Sequence, residues 1–318
     1  MFGQVRIVMQ HTQHMQAAKY AQLLHNPKAG DGDHMKEDLV NAIVSCGFNC
    51  GYVSTKAQRW DRLKTKTTLA VVAGGDGTVR QVLKRLLRRK LLDKRPAIAL
   101  FPAGTANNFA KTLGISASLP GLKRAITGWQ IRKIDVGAIG NVPETKFFLE
   151  GMGYGLLPRL IREMKTVDLS KVKTTDEELA LALNKLIEIT QNYMPKRGLL
   201  TIDGVHYEDS YLLVEVLNIQ SVGPNVVLAP KADPTDGKLH VALLKEVHRE
   251  AFIQYLQQSH RPRSGKYPKV PWQTIEVKHS ITMRCEHRLL HVDDELINLK
   301  KAQLVKVEIR KGIVDVIV

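Results

Sequence analysis

A chain of 318 residues is long enough for two domains, each with its own core. Hydrophobic residues make up 44% and charged residues 25%, a globular mixture that excludes a fibrous or low-complexity chain. With 47 Lys and Arg against 31 Asp and Glu, the net charge is +16, which favours an anionic partner: a nucleotide, a nucleic acid or an anionic membrane surface.

Residues 1–19 read as a polar extension with an edge strand at 5–9. It lacks the apolar core of a signal segment, and His11 and His14 read as solvated. Tyr20 to His25 is an apolar first strand, followed by the turn Asn26-Pro27-Lys28-Ala29-Gly30. A helix then follows around Leu39, Ala42, Ile43 and Cys46. Residues 50–55 form a second strand and 57–66 a short polar helix. The run Ala70-Val71-Val72-Ala73 is a buried strand ending in Gly74-Gly75-Asp76-Gly77-Thr78. Val79, Val82, Leu83, Leu86, Leu87 and Leu91 then recur at helical spacing. A fourth strand at 97–101 ends in Pro102-Ala103-Gly104-Thr105-Ala106-Asn107-Asn108. Helices near 108–113 and 120–127 and a strand at 131–137 complete this half. Strands alternating with helices predict an open, mostly parallel sheet covered on both faces.

The second half changes character after Gly140-Asn141-Val142-Pro143. Alternating β runs fall at 146–150, 199–202, 210–219, 225–229, 238–245, 272–278, 280–292 and 303–317, the pattern of an antiparallel β-sandwich. Helices at 175–191 and 249–258 interrupt it. The expected units are an extension (1–19), an α/β domain (20–140) and a sandwich domain (141–318) with a helical insert near 170–191. Cys46, Cys50 and Cys285 show no disulfide or metal spacing and point to the reduced thiols of a cytoplasmic protein. No stretch approaches the ~20 apolar residues of a membrane span, so any lipid contact is peripheral.

Three turns rich in Gly, Pro, Asn and Thr follow strand ends, where the ligand crevice of an open α/β sheet lies. Three glycines in four positions at 74–77 free the backbone to curl, and a helix N-terminus behind them favours an anion. Asp76 in that turn repels a phosphate unless a cation intervenes, which points to Mg²⁺ and phosphoryl transfer. A plain βα turn capped by Asp76 is the bland alternative. Nothing matches a Gly-Lys-Ser/Thr P-loop. Lys84-Arg85, Arg88-Arg89-Lys90 and Lys94-Arg95 form the largest basic cluster, and residues 260–266 a basic loop. Each reads either as an anionic-membrane footing or as a solvated face.

Taken together, these motifs resemble the diacylglycerol kinase catalytic-domain family, which includes bacterial lipid kinases and sphingosine kinases. Asn26-Pro27-Lys28-Ala29-Gly30, Gly74-Gly75-Asp76-Gly77-Thr78, Pro102-Ala103-Gly104-Thr105-Ala106-Asn107-Asn108 and Ile134-Asp135-Val136-Gly137 occur in the family's order. So do Ala229-Pro230-Lys231-Ala232, Asp236-Gly237-Lys238-Leu239 and Val292-Asp293-Asp294-Glu295. The resemblance implies an α/β domain of the NAD-kinase and phosphofructokinase kind plus a β-sandwich. It also implies an ATP- and Mg²⁺-dependent kinase of a lipid hydroxyl, acting in lipid metabolism at a membrane surface.

By the same resemblance ATP is contacted by Asn26, Pro27, Lys28, Ala29, Gly30, Thr55, Gly74, Gly75, Asp76, Gly77, Thr78 and Thr105. The catalytic acids are Asp293, Glu295 and Asp76, with Asp293 as the proton acceptor. A structural metal falls to Asp236, with main-chain oxygens at Asp233 and Lys238. A water-linked metal network falls to Asp76, Asn108 and Asp135. The chain departs from the family at Asn108, where Asp is usual, and at Asp294, where Gly is usual. The segment 169–191 is more charged than the comparable region of many relatives. Two alternatives stay open: a kinase of a soluble small molecule, as in NAD kinases, and an inactive nucleotide-binding member. No nucleic-acid partner is expected, because no binding module or aromatic platform is present. No feature of the sequence fixes an oligomeric state.

Overall fold

The central strands of the first half are rich in apolar residues because both their faces are covered. In the computed structural model, β1 (Tyr20–His25), β2 (Asn49–Ser54), β3 (Thr67–Gly74) and β4 (Ala97–Pro102) form parallel ladders in the order β2-β1-β3-β4. Alternate residues face two cores. Leu23, Val71 and Ala99 meet Leu39 and Ile43 of α1 (Lys36–Ser45) and, on the same side, Leu122 and Ile126. Leu24, Val72 and Ile98 meet Val79 and Leu83 of α2 (Asp76–Leu87) and Phe109 of α3 (Asn108–Thr112). Leu122 and Ile126 belong to α4 (Leu119–Gly128), whose N-cap Ser118 accepts the Gly121 N–H at 3.1 Å. The half closes with β5 (Ile131–Gly140).

The structure describes residues 19–30, 36–58, 60, 62–87, 95–142, 147–259, 272–285 and 288–318. Expectations for the strand at 5–9, His11, His14, Leu91, residues 88–90, Lys94, Pro143 and the loop 260–266 lie outside these residues, as does the Cys285 side chain. Cys46 and Cys50 are free thiols.

The second half begins with β6 (Phe147–Phe148), β7 (Gly151–Gly155), α5 (Leu156–Met164) and α6 (Thr175–Asn192). It continues through β8 (Lys196–Ile202), β9 (Val205–Leu217), the short pair β10 (Ser221–Val222) and β11 (Val226–Val227), and β12 (Leu239–Lys245). Then come α7 (Arg249–Ser259), β13 (Gln273–Val277), β14 (Ser280–Cys285), β15 (Leu289–Val292), β16 (Glu295–Asn298) and β17 (Gln303–Ile317). Its strands pair antiparallel. Val214 and Val216 of β9 and Val241 and Leu243 of β12 point into the sandwich core. Leu213, Leu217, Ala242 and Leu244 point the other way, under Leu156 and Leu160 of α5, Leu186 of α6 and Phe252 of α7. The last strand joins the halves: β17 runs antiparallel to β14 and β5 and ends parallel to β4, Val316 beside Ile98.

The helix expected at 57–66 is not formed among the described residues. The buried Gln22 side chain accepts the Lys64 N–H and donates to the Arg62 carbonyl, both at 3.1 Å, and so holds that segment extended against β1. The runs expected at 146–150 and 225–229 shorten to two residues each, and 280–292 is two strands rather than one. The helix α5 was not expected. Its Leu156, Leu157 and Leu160 face inward, with Pro158 in the first turn, where a missing N–H costs nothing.

Candidate active site

Two backbone bonds draw the strand-end turns together. The Asn26 N–H reaches the Ala73 carbonyl at 2.8 Å, and the Ala103 N–H the Gly74 carbonyl at 3.1 Å. Close approach then demands glycine: a Cβ on Gly104 would stand 2.3 Å from Gly75 Cα, and one on Gly30 (φ +60°) 2.5 Å from the Ala103 carbonyl oxygen. The result is a cavity of about 480 Å³ lined by Asn26, Lys28, Ala29, Gly30, Thr55, Gly75, Gly77, Thr78 and Thr105. All three turns converge there, as the strand-end argument requires. Pro27, Gly74 and Asp76, also expected at the nucleotide, do not line it. Gly104, from the third converging turn, lines it too, and so do Lys56, Trp60, Gln81 and Glu178, which were not foreseen. Glu178 comes from α6 and accepts the Thr105 hydroxyl at 2.8 Å, so the helical insert forms part of this wall.

Asp76 turns away from that cavity. Its carboxylate accepts the N–H groups of Asn108 (2.9 Å) and Phe109 (3.2 Å) at the start of α3. It also hydrogen-bonds the carboxyl of Glu150, in the turn between β6 and β7. Desolvation and the neighbouring charges of Asp76 and Asp293 push Glu150 well above the usual carboxylate range. These residues wall a second cavity of about 190 Å³, whose other side is apolar: Leu157, Leu160, Ile161 and Val222. Neighbours in one turn thus face different spaces, Gly77 the larger cavity and Asp76 the smaller.

Asp293 lies at the bottom of the smaller cavity, buried, with φ +52°. Its carboxylate accepts the N–H groups of Leu149 (3.2 Å), Glu150 (2.9 Å) and Gly151 (3.3 Å), and Arg80 Nε at 2.6 Å. Burial pushes its carboxyl up, while the Arg80 charge and the three N–H donors pull it down. The left-handed residue is Asp293 rather than Asp294, so the usual glycine of the motif is not needed for backbone geometry here. Asp294 is mostly exposed and its Oδ2 lies 3.0 Å from where a Cβ on Gly77 would stand. Glu295 pairs with Arg80 at 2.6 Å and Lys84 at 3.2 Å, and the Arg80 hydrogen bond holds it down to about 2.

Arg80 was not foreseen, although the signal was present: a cation on the apolar stripe of α2, beside Val79 and Leu83. Lys84, expected on a basic face, is in the ion pair with Glu295.

Other expected groups are not brought together. Asn108 and Asp76 meet, but the Asn108 side chain is bonded to the Ser221 hydroxyl (2.7 Å) and the Gly223 carbonyl (3.0 Å). The Asp135 carboxylate instead accepts the N–H groups of Gly237 and Gly312, both at 2.7 Å. In the loop expected to hold a metal, Asp233 folds back on Thr235 and Asp236 on the Lys238 N–H at 2.9 Å. Among the described residues no three acidic, His or Cys groups form a metal cluster.

A glycine-turn anion pocket beside a carboxylate-walled cavity, in an α/β sheet joined to a β-sandwich, is the layout of a phosphoryl-transfer protein. Comparison with known proteins agrees. Residues 20–139 match the family described as "Diacylglycerol kinase catalytic domain", and residues 165–317 the "YegS C-terminal NAD kinase beta sandwich-like domain". The chain is 29% identical over 247 residues to "Diacylglycerol kinase" of Bacillus subtilis, covering 74% of this chain and 77% of that protein. It is 30% identical over 240 residues to "Probable lipid kinase YegS-like" of Pseudomonas aeruginosa, covering 72% and 73%. A crystal structure of a diacylglycerol kinase from Bacillus anthracis superposes with a TM-score of 0.69 at 22% identity, over 94% and 96% of the two chains. The chain belongs to the diacylglycerol kinase catalytic-domain family of lipid kinases.

Proposed function

We propose that this chain transfers the γ-phosphate of ATP to a lipid hydroxyl. The observation that carries the reading is the pairing of cavities across one turn: a polar space of about 480 Å³ on the Gly77 side, and an acid-and-apolar space of about 190 Å³ on the Asp76 side. The triphosphate would lie against Gly75, Gly77, Thr78 and Lys28, beside the positive N-terminal end of α2. The acceptor hydroxyl would enter beside Leu157, Leu160 and Val222 and meet Asp293. That carboxylate would orient the hydroxyl and take its proton as the phosphoryl group moves, helped by the upward push of burial.

The donors at this turn fit Mg²⁺. They are oxygens, and the crowded Asp76–Glu150 pair is the kind of charge a cation relieves. With no three-residue cluster among the described residues, one or two carboxylates, Asp76 and Asp294 or Glu150, would share the ion with the nucleotide phosphates. Bound there, the ion would neutralise charge developing on the transferred group. The described residues contain no helix long and apolar enough to cross a membrane. The net charge of +16 would hold the protein at an anionic lipid surface.

The test is transfer of labelled γ-phosphate from ATP with Mg²⁺ into a total lipid extract, wild type beside Asp293→Asn. Label in a lipid with wild type alone supports the reading. Nucleotide binding without labelled lipid refutes it and leaves a soluble acceptor or a non-catalytic role.

A further inference from the structure

Three neighbouring strands place Glu215, Gly153 and His291 in one row. Glu215 of β9 is opposite Gly153 of β7, and Gly153 is opposite His291 of β15. Strands two apart are separated by about 10 Å, too far for most side chains to meet over a filled middle position. Gly153 leaves that position open: a Cβ on it would stand 2.4 Å from Glu215 Cδ and Oε1. Through the gap, Glu215 Oε2 and His291 Nε2 approach to 2.7 Å, and both residues are buried. The other imidazole nitrogen, Nδ1, donates to the main-chain carbonyl of Asp293 at 2.8 Å.

That bond completes the hold on Asp293. Its N–H is bonded to the Gly151 carbonyl at 2.8 Å, and its carboxylate to Arg80 and the N–H groups of residues 149–151. His291 holds its carbonyl. A non-glycine residue at φ +52° persists where its surroundings over-determine it. A buried ion-pair-capable couple is also a poor choice for stability alone, since apolar residues of similar volume do as well or better.

We propose that Glu215 and His291 are positioning residues for phosphoryl transfer: Glu215 orients the imidazole, and His291 fixes the turn that aims the Asp293 carboxylate at the acceptor. The catalytic half of this rests on the function proposed above; the positioning half does not.

The experiment compares Glu215→Gln alone with Glu215→Gln/His291→Leu and Glu215→Gln/His291→Asn, so that no charge is orphaned in the core. Two quantities are read: kcat with ATP Kd, and hydrogen exchange of the Leu149, Glu150 and Gly151 amides, which report the Asp293 carboxylate directly. Glu215→Gln keeps a hydrogen-bond partner for Nε2 through its amide oxygen or nitrogen and serves as the reference for the two double variants. The leucine variant loses tenfold to a hundredfold in kcat with ATP Kd unchanged, and its three amides exchange at least tenfold faster. The asparagine variant, whose amide nitrogen takes the place of Nδ1, recovers both. A folded leucine variant with wild-type protection at 149–151 overturns the proposal. If the leucine variant does not fold, His291→Asn and His291→Gln decide: Asn keeps the protection, Gln loses it, and equal protection overturns the proposal. If wild type phosphorylates no lipid, the proposed function fails, while the exchange data still decide the positioning claim.

Discussion

Replacing Arg80 by Met keeps the aliphatic stem and removes the charge that faces three carboxylates. The three contacts are unequal. Asp293, at 2.6 Å, has a side chain only 3% exposed, whereas Asp294 and Glu295 are 61% and 40% exposed. Exposed pairs contribute about 0.2–1 kcal/mol each. Removing one partner of a buried pair costs about 3–5 kcal/mol, because the other charge stays behind without compensation. The N–H groups of residues 149–151 still hold Asp293, which puts the expected loss near the lower end, about 3 kcal/mol. Reversible urea unfolding measures it, and a melting temperature lower by about 5 °C should accompany it. Adding Asp293→Asn removes the orphaned charge, so the double variant should lose about 2 kcal/mol less than the sum of the singles. An Arg80→Met loss below about 1 kcal/mol, or strict additivity, would refute the idea that this buried pair joins α2 to the second half.

Three further outcomes are expected. Asp293→Asn should lower kcat by about 10²–10⁴-fold with ATP affinity retained, measured by labelled-phosphate transfer and calorimetry; near-normal turnover removes its role as proton acceptor. Gly104→Ala should weaken ATP binding more than tenfold, since its methyl group meets Gly75 Cα at 2.3 Å; an unchanged Kd would mean that the turns do not have to touch. Glu295 is held at about 2 in the folded chain by Arg80 and Lys84. A depressed carboxylate stabilises above its unfolded value of 4.5 and loses that contribution as pH falls from 4.5 towards 2. The urea midpoint of Glu295→Gln should therefore fall less steeply than wild type over that window, and parallel curves would show that the ion pair contributes nothing.

The legible parts of the fold were those whose physics is local. Strands covered on both faces read as apolar runs, and each of β1, β3 and β4 ends in a turn whose Gly, Asn or Pro marks the stop. Those same turns carry the anion pocket, so its glycine, Asn and Thr residues were readable. What escaped depends on partners far away in sequence. Gln22 pins residues 62–64, and no feature of that segment announces it. Glu178 reads as one acid among three in the first turn of α6, and only packing brings it to Thr105. Glu215 and His291 are ordinary strand residues until register sets them on either side of Gly153. Asp135 fits a family motif, yet its carboxylate is taken by two loop N–H groups.

Asn108 bears on whether the chain is an active member of its family. The resemblance makes Asp usual at this position, so Asn alone suggests a lost charge beside Asp76. The surroundings argue otherwise. The Asn108 amide nitrogen donates to the Gly223 carbonyl at 3.0 Å, which a carboxylate would face as a repulsive oxygen. The position is buried and has no cation among its bonded partners, Ser221 and Gly223, so a charge there would carry an uncompensated desolvation cost. A carboxyl group is nevertheless present at Asp76: that of Glu150, which hydrogen-bonds it from the other half of the chain. An acidic group therefore stands beside the glycine turn even though residue 108 is Asn. Glu150→Gln therefore separates the two views of the family member. Loss of transfer with ATP binding retained means that this acid serves the reaction. Unchanged transfer means that Asp76 and Asp293 suffice without it.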